Sequence, residues 1–139
     1  MAIQPSKTYS AKDYAIIIGG ALLVGEESVT ISLPNAQWNP NHGAKGELEM
    51  AENSAHKYTE ITANMMQTSI GQATLGAVQL TGSYVAVTIA DTQGNDFFMA
   101  SQMKVELPNT NTYAKDAGTA RPWMLKGNYD TYTPFGKVV

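Results

Sequence analysis

The chain contains no cysteine in its 139 residues. It closes no disulfide and offers no thiolate to a metal, a composition that fits a reducing compartment. Histidine is almost as scarce. His42 and His56 are the two present, and neither HxxxH nor HExxH spacing relates them, so a metal site would need carboxylates from elsewhere in the fold. Both read most simply as exposed polar residues. Ser28, Ser32, Ser54, Ser69, Ser83 and Ser101 lack a GxSxG context, which argues against a hydrolytic triad. Gly19-Gly20 is not followed by a phosphate-binding glycine pattern. Cations are few, with nine Lys and Arg against twelve Asp and Glu, a net charge of −3 and a pI near 5.2. Nothing in that balance attracts nucleic acid to an outer surface. Long apolar runs are missing too. AIIIGGALLV at 15–24 is split by two glycines and is too short to cross a bilayer, so no membrane is expected. MAIQPSKTYSAKD has no basic region followed by an apolar run, so no secretory leader is expected.

What is present is a globular composition, 43% hydrophobic and 15% charged, which supports one domain over 1–139 with a genuine core. Its dominant period is two. Tyr14, Ile16 and Ile18 share a face and lead into a Gly19-Gly20 turn, the pattern of a hairpin. Val29, Ile31 and Leu33 alternate with serine and threonine until Pro34, which cannot donate to a central ladder. Over 57–67, Thr59, Ile61, Ala63 and Met65 oppose Tyr58, Glu60, Thr62 and Asn64. Val85, Val87 and Ile89 mark another strand. In DFFMASQMKVEL, Phe97, Met99, Met103, Val105 and Leu107 are placed on one face. Trp123, Leu125 and Tyr129 alternate in a last run, giving at least six strands. One segment, SIGQATLGAVQL at 69–80, has helical spacing instead. Ile70, Ala73, Ala77 and Leu80 form the stripe, Ser69 and Gln72 have the spacing of a capping box, and Gly82 supplies the stop. The expected fold is mainly β, an antiparallel barrel or sandwich with one short helix.

Two stretches fit neither period: 34–47, which holds NAQWNPNHGAKG, and NTNTYAKDAGTAR at 109–121. Connections of that length are usually functional or disordered. Trp38 has no core partner in its own periodicity. It is either a loop anchor folded back on its own chain or an anchor for another molecule, since Trp is enriched in desolvated interface centres. Trp123 reads as core. Glu47, Glu49 and Glu52 invite comparison with a glycosidase pair, but Glu47 and Glu49 would share a strand face and repel; a solvated or ion-paired edge is the simpler reading. Lys104 and Glu106 stand on a polar strand face, where an ion pair contributes little alone.

In order and spacing, TYSAKDYAIIIGG at 8–20, YTEITANMMQTS at 58–69 with the helix after it, DTQGNDFFMASQMKVELPN at 91–109 and GTARPWMLKGN at 118–128 make the chain resemble the tail tube proteins of contractile-tailed bacteriophages. The resemblance spans nearly the whole chain and rests on arrangement, with no catalytic motif in it. It implies a β-barrel or sandwich with a flanking helix and long inter-subunit loops. Six copies would form a ring, and rings would stack into a tube inside a contractile sheath. It implies a virion component, assembled in the host cytoplasm, with no enzymatic activity and no cofactor. Its partners would be itself, the sheath, the tape-measure protein and baseplate or terminator proteins, while double-stranded DNA passes through the lumen without specific binding.

On that resemblance 34–47 lies where the stacking arm would be, with Trp38, Asn39, Asn41, His42 and Lys45 as inter-ring contacts. The 109–121 segment would be the second connection between subunits, through Tyr113, Lys115, Asp116 and Arg121. Three other readings stay open. One is a tube subunit of a pyocin-like or type VI-like injection system. Another is a non-enzymatic ligand-binding sandwich with Trp38, Tyr58 or Tyr113 around a cleft. The last and least supported is a small enzyme using Glu47 or Glu49 with His56.

Overall fold

The computed structural model describes residues 14–66, 69–91, 96–113 and 120–134. Along the chain run β1 (Tyr14–Ile18), β2 (Ala21–Leu22), β3 (Glu26–Ser32), β4 (Trp38–His42), β5 (Leu48–Glu52), β6 (Tyr58–Met65), α1 (Gly71–Thr81), β7 (Val85–Asp91), β8 (Asp96–Glu106), β9 (Arg121–Asn128) and β10 (Thr131–Pro134). The architecture is mainly β with one short helix and two sheets. The larger sheet has the order β2-β1-β7-β8-β9-β6-β3, with β10 alongside β8, and every pairing is antiparallel. The smaller sheet is the hairpin β4-β5. Among the described residues β2 and β3 are the unjoined ends of the large sheet, so the expected barrel closure is not seen.

The β1-β2 turn follows from its two glycines. Ile18 pairs with Ala21, leaving Gly19 and Gly20 as a two-residue loop with φ of 60° and 87°, the left-handed pair that matches strand twist. β6 shows perfect alternation, with Thr59, Ile61, Ala63 and Met65 buried and the residues between them half-buried. β9 and β10 continue one line beside β8. Gly127 faces Met103 and Thr131 faces Met99. The break between them is held by Asp130, whose N–H donates to Met99 O (2.8 Å) and whose carboxylate accepts the Ser101 N–H (2.9 Å).

Phe98 and Ala100 point into the core in β8, and then Met103 and Val105 do. Phe97 and Met99, placed on the inner face by strict alternation, are instead partly exposed. The reason is an irregularity in the β7-β8 register between Val85 and Val87. An extra residue in one strand turns the following side chains to the other face.

The core gathers Ile16, Ile18, Ile61, Met65, Leu75, Val87, Phe98, Met103, Trp123 and Leu125 on one face of the sheet, under α1. The helix lies the other way round from the expected stripe. Gly71 and Leu75 are buried and Val78 packs against the core, whereas Ile70 (73% exposed), Ala73, Ala77 and Leu80 (84% exposed) face outward. Gly71 permits the close approach: a Cβ there would meet Val24 O and the Met65 side chain, so the first turn sits directly on them while Leu75 enters the core. The expected capping box does not form either. The N-cap is Ile70, without a side-chain cap bond. Gln72 turns inward to donate to Met66 O (2.9 Å) and accept the Trp123 indole N–H (3.2 Å). Gly82 ends the helix as expected, at φ 64°.

Candidate assembly surface

The 34–47 segment holds a strand that alternation did not reveal. WNPNH has no buried face to impose a period: all five residues of β4 are exposed, and Pro40 is tolerated because the strand has an open edge. β4 pairs with β5 from Trp38–Glu52 to His42–Leu48. Gln37 O extends the ladder by accepting the Asn53 N–H at 2.8 Å. At the tip the Gly43 N–H donates to Glu47 O, and Gly46 takes a φ of 87°, the left-handed residue of a short hairpin loop. Glu47 Oε2 accepts the Lys45 N–H at 3.1 Å, which turns that carboxylate into the loop and leaves the exposed Lys45 side chain at the end of the arm.

The pairing sorts the hairpin into two unlike faces. Trp38, Pro40, His42, Leu48, Met50 and Glu52 share one. Asn39, Asn41, Glu49 and Ala51 share the other. The first is apolar through its middle and uncovered: Trp38 is 49% exposed, Leu48 60% and Met50 50%. Of the five arm residues expected to meet a neighbour, Trp38 and His42 lie on this apolar face. Asn39 and Asn41 lie on the polar one, and Lys45 is at the tip.

His56, expected to be exposed, is buried and pins the root of the hairpin. Its Nδ1 lies 2.8 Å from Asn53 O, its Nε2 lies 3.5 Å from Glu52, and its ring meets Tyr129 edge-on at 6.3 Å. Asn35 adds a second tie, donating to Ala55 O at 3.1 Å. The signal for this role was faint: ENSAHK reads as a turn between strands, and no pattern announces that its histidine folds inward.

Of the second group, Tyr113 (78% exposed) and Arg121 are brought together, the guanidinium 5.2 Å from the ring centre. Arg121 opens β9 opposite Met65, so it belongs to the sheet and not to the loop. Lys115 and Asp116 lie outside the described residues.

Over β6, β9 and the second half of β8 the sheet face away from the core is charged, whereas across β1 and the start of β8 it exposes Ile17, Phe97 and Met99. Glu60 stands opposite Lys126, which stands opposite Lys104 on its other side. Lys126 meets Glu106 at 3.0 Å, Tyr58 donates to Glu60 at 3.2 Å, and Lys104 lies over the Tyr84 ring at 4.8 Å. The bond to Glu106 raises the Lys126 pKa, while burial and then the Glu60 bond raise that of Tyr58. Two acids and two bases therefore balance.

A cavity of about 480 Å³ opens between β3 and the β1-β7-β8-β10 side of the sheet. Its lining combines Phe98, Ile89 and Val29 with Glu26, Asp91 and Asp96. Neither Trp38, Tyr58 nor Tyr113, the expected cleft aromatics, lines it. Tyr14 and Tyr132 do, and both have raised pKa values, through burial first and then through the charge of Glu26 and Asp96 respectively. Among the described residues no group of three or more His, Cys, Asp or Glu is placed to hold a metal. No described helix is long and apolar enough to cross a membrane. No known family model matches the chain, and no curated protein matches it.

Proposed function

We propose that the chain is the structural subunit of a bacteriophage tail tube, assembling as stacked hexameric rings that form the conduit for genome ejection. One observation carries this reading: a rooted hairpin with an uncovered apolar face of Trp38, Pro40, Leu48 and Met50. Exposed apolar surface of that kind marks interaction sites, and a Trp within it fits an interface anchor. The edge of β3, unjoined among the described residues, adds support, because a neighbour's pairing removes the liability of an open edge. The balanced polar face suits a wetted lumen, since a basic lining would hold the phosphates of passing DNA. On this reading the protein is a non-enzymatic virion component, formed in the host cytoplasm. Sheath, tape-measure and baseplate or terminator proteins are its partners. A pyocin-like or type VI-like tube would use the same geometry, and neighbouring genes for capsid, portal and terminase separate the cases.

Negative-stain electron microscopy across a concentration series, with mass measurement in parallel, tests the proposal. Six-fold rings or hollow tubes are expected. A monodisperse monomer at every concentration sinks it and turns attention to the cavity of about 480 Å³, whose lining mixes apolar side chains with a few polar ones, as ligand sites do.

A further inference from the structure

Among the described residues, two of the exposed apolar strips match each other in form: the Trp38 face of the β4-β5 hairpin and the outward stripe of α1. We infer that they are the two halves of one contact, the hairpin of each copy lying along α1 of the next. This rests on the proposed assembly and names the surface that receives the arm.

The lengths agree. Ile70 to Leu80 spans about 15 Å at the rise of an α-helix, and Trp38 to His42 spans about 14 Å of strand. The shapes agree as well. Ala73 and Ala77 make a low saddle between Ile70 and Leu80, all of them exposed, into which larger side chains at the hairpin centre fit. α1 carries no charged residue, with no acid in its first turn and no base in its last. Neither end of its dipole is therefore matched from within the helix. The hairpin carries Glu52 beside Trp38 and Lys45 at its tip. Laid with the tip at the Leu80 end, it brings the base to the helix C-terminus and the acid to the N-terminus. The arrangement is heterologous, since the surface given differs from the surface received. Such contacts propagate into closed rings or open helical stacks instead of stopping at a dimer. The strip is small against the roughly 800 Å² per partner of a stable interface. A single contact is accordingly weak, and assembly depends on many copies engaging together.

The absence of native cysteine makes the test direct. Leu48→Cys and Ala77→Cys both alter exposed positions and leave the core untouched. Each is made in a separate chain, one bearing a size tag, and the two are mixed and oxidised at assembling concentration. The mixed L48C–A77C product should exceed either homodimer several-fold. Asn41→Cys, on the opposite hairpin face, should give no enrichment with A77C. In the doubly substituted chain, L48C with A77C, a ladder of covalent oligomers should appear. Rings or tubes without the mixed product overturn this contact and leave the assembly standing. A monomer with neither product nor ladder overturns both.

Discussion

Gly71 and Gly76 occupy one helix, yet they should respond to the same substitution with opposite sign. A methyl group at Gly71 would meet the backbone carbonyl of Val24 and the Met65 side chain, while at Gly76 it finds only Trp123 Cη2 at 3.7 Å, an ordinary contact. Replacing a helical glycine by alanine gains up to about 1 kcal/mol in propensity. Overpacking against a core that cannot yield costs about 1–3 kcal/mol. Gly71→Ala should therefore lower the urea midpoint and Gly76→Ala should raise it; a midpoint raised by both would show that the helix floats free of the sheet. Tyr14 and Tyr132 supply a second prediction at this scale. Their pKa values in the folded protein lie above 10.0, so on raising the pH the unfolded chain loses these protons first. The folded state then holds more protons than the unfolded one, and stability falls as pH climbs past about 10. Thermal melts from pH 9 to 11 should show the decline, and Tyr14→Phe with Tyr132→Phe should flatten it. An unchanged slope in the double variant would assign the alkaline loss to other groups.

At the scale of elements, the sequence was most readable where one face is buried. Ile16 and Ile18, Thr59 to Met65, and Trp123 with Leu125 all lie where period-two alternation puts them, because burial selects the residue type at each step. β4 was invisible to the same test, since both of its faces meet solvent in the single chain. α1 was located but turned around: its apolar residues at helical spacing are those left outside, and Gly71, a poor helix former, is the residue that lets the helix come down. The phase of β8 was lost at a register irregularity that leaves no compositional mark. The arm itself was legible as an interruption, and Trp38 as its oddity. His56 was not, because its burial depends on Tyr129 arriving from a distant segment. Trp38→Ala separates the two roles first considered for that side chain. Half-exposed on an outlying hairpin, it should alter monomer stability by no more than about 0.5 kcal/mol. As an interface anchor worth about 2 kcal/mol or more, its loss should raise the threshold concentration for assembly by roughly 30-fold. A large drop in melting temperature with unaltered assembly would make Trp38 an anchor for its own chain.

For the molecule as a whole, the sheet's charges and its sticking surfaces are kept apart. Glu60, Glu106, Lys104 and Lys126 balance on the polar face, whereas the hairpin and helix strips are apolar at their centres. An assembly driven through the strips should therefore behave as a hydrophobic one, despite a net charge of −3 per subunit. Simple salt screens charge pairs exposed to solvent and leaves apolar burial almost untouched, while sulfate strengthens that burial and cooling weakens it. Light scattering should accordingly give a threshold concentration that changes little with added sodium chloride, falls with ammonium sulfate and rises on cooling. The mild subunit repulsion even predicts a slight fall of the threshold with the first increments of simple salt. If sodium chloride dissolved the assemblies instead, attraction between unlike charges would be holding the copies together. The contact would then have to be sought at Arg121 and the acidic residues around the β3 edge, with the apolar strips left to some other partner.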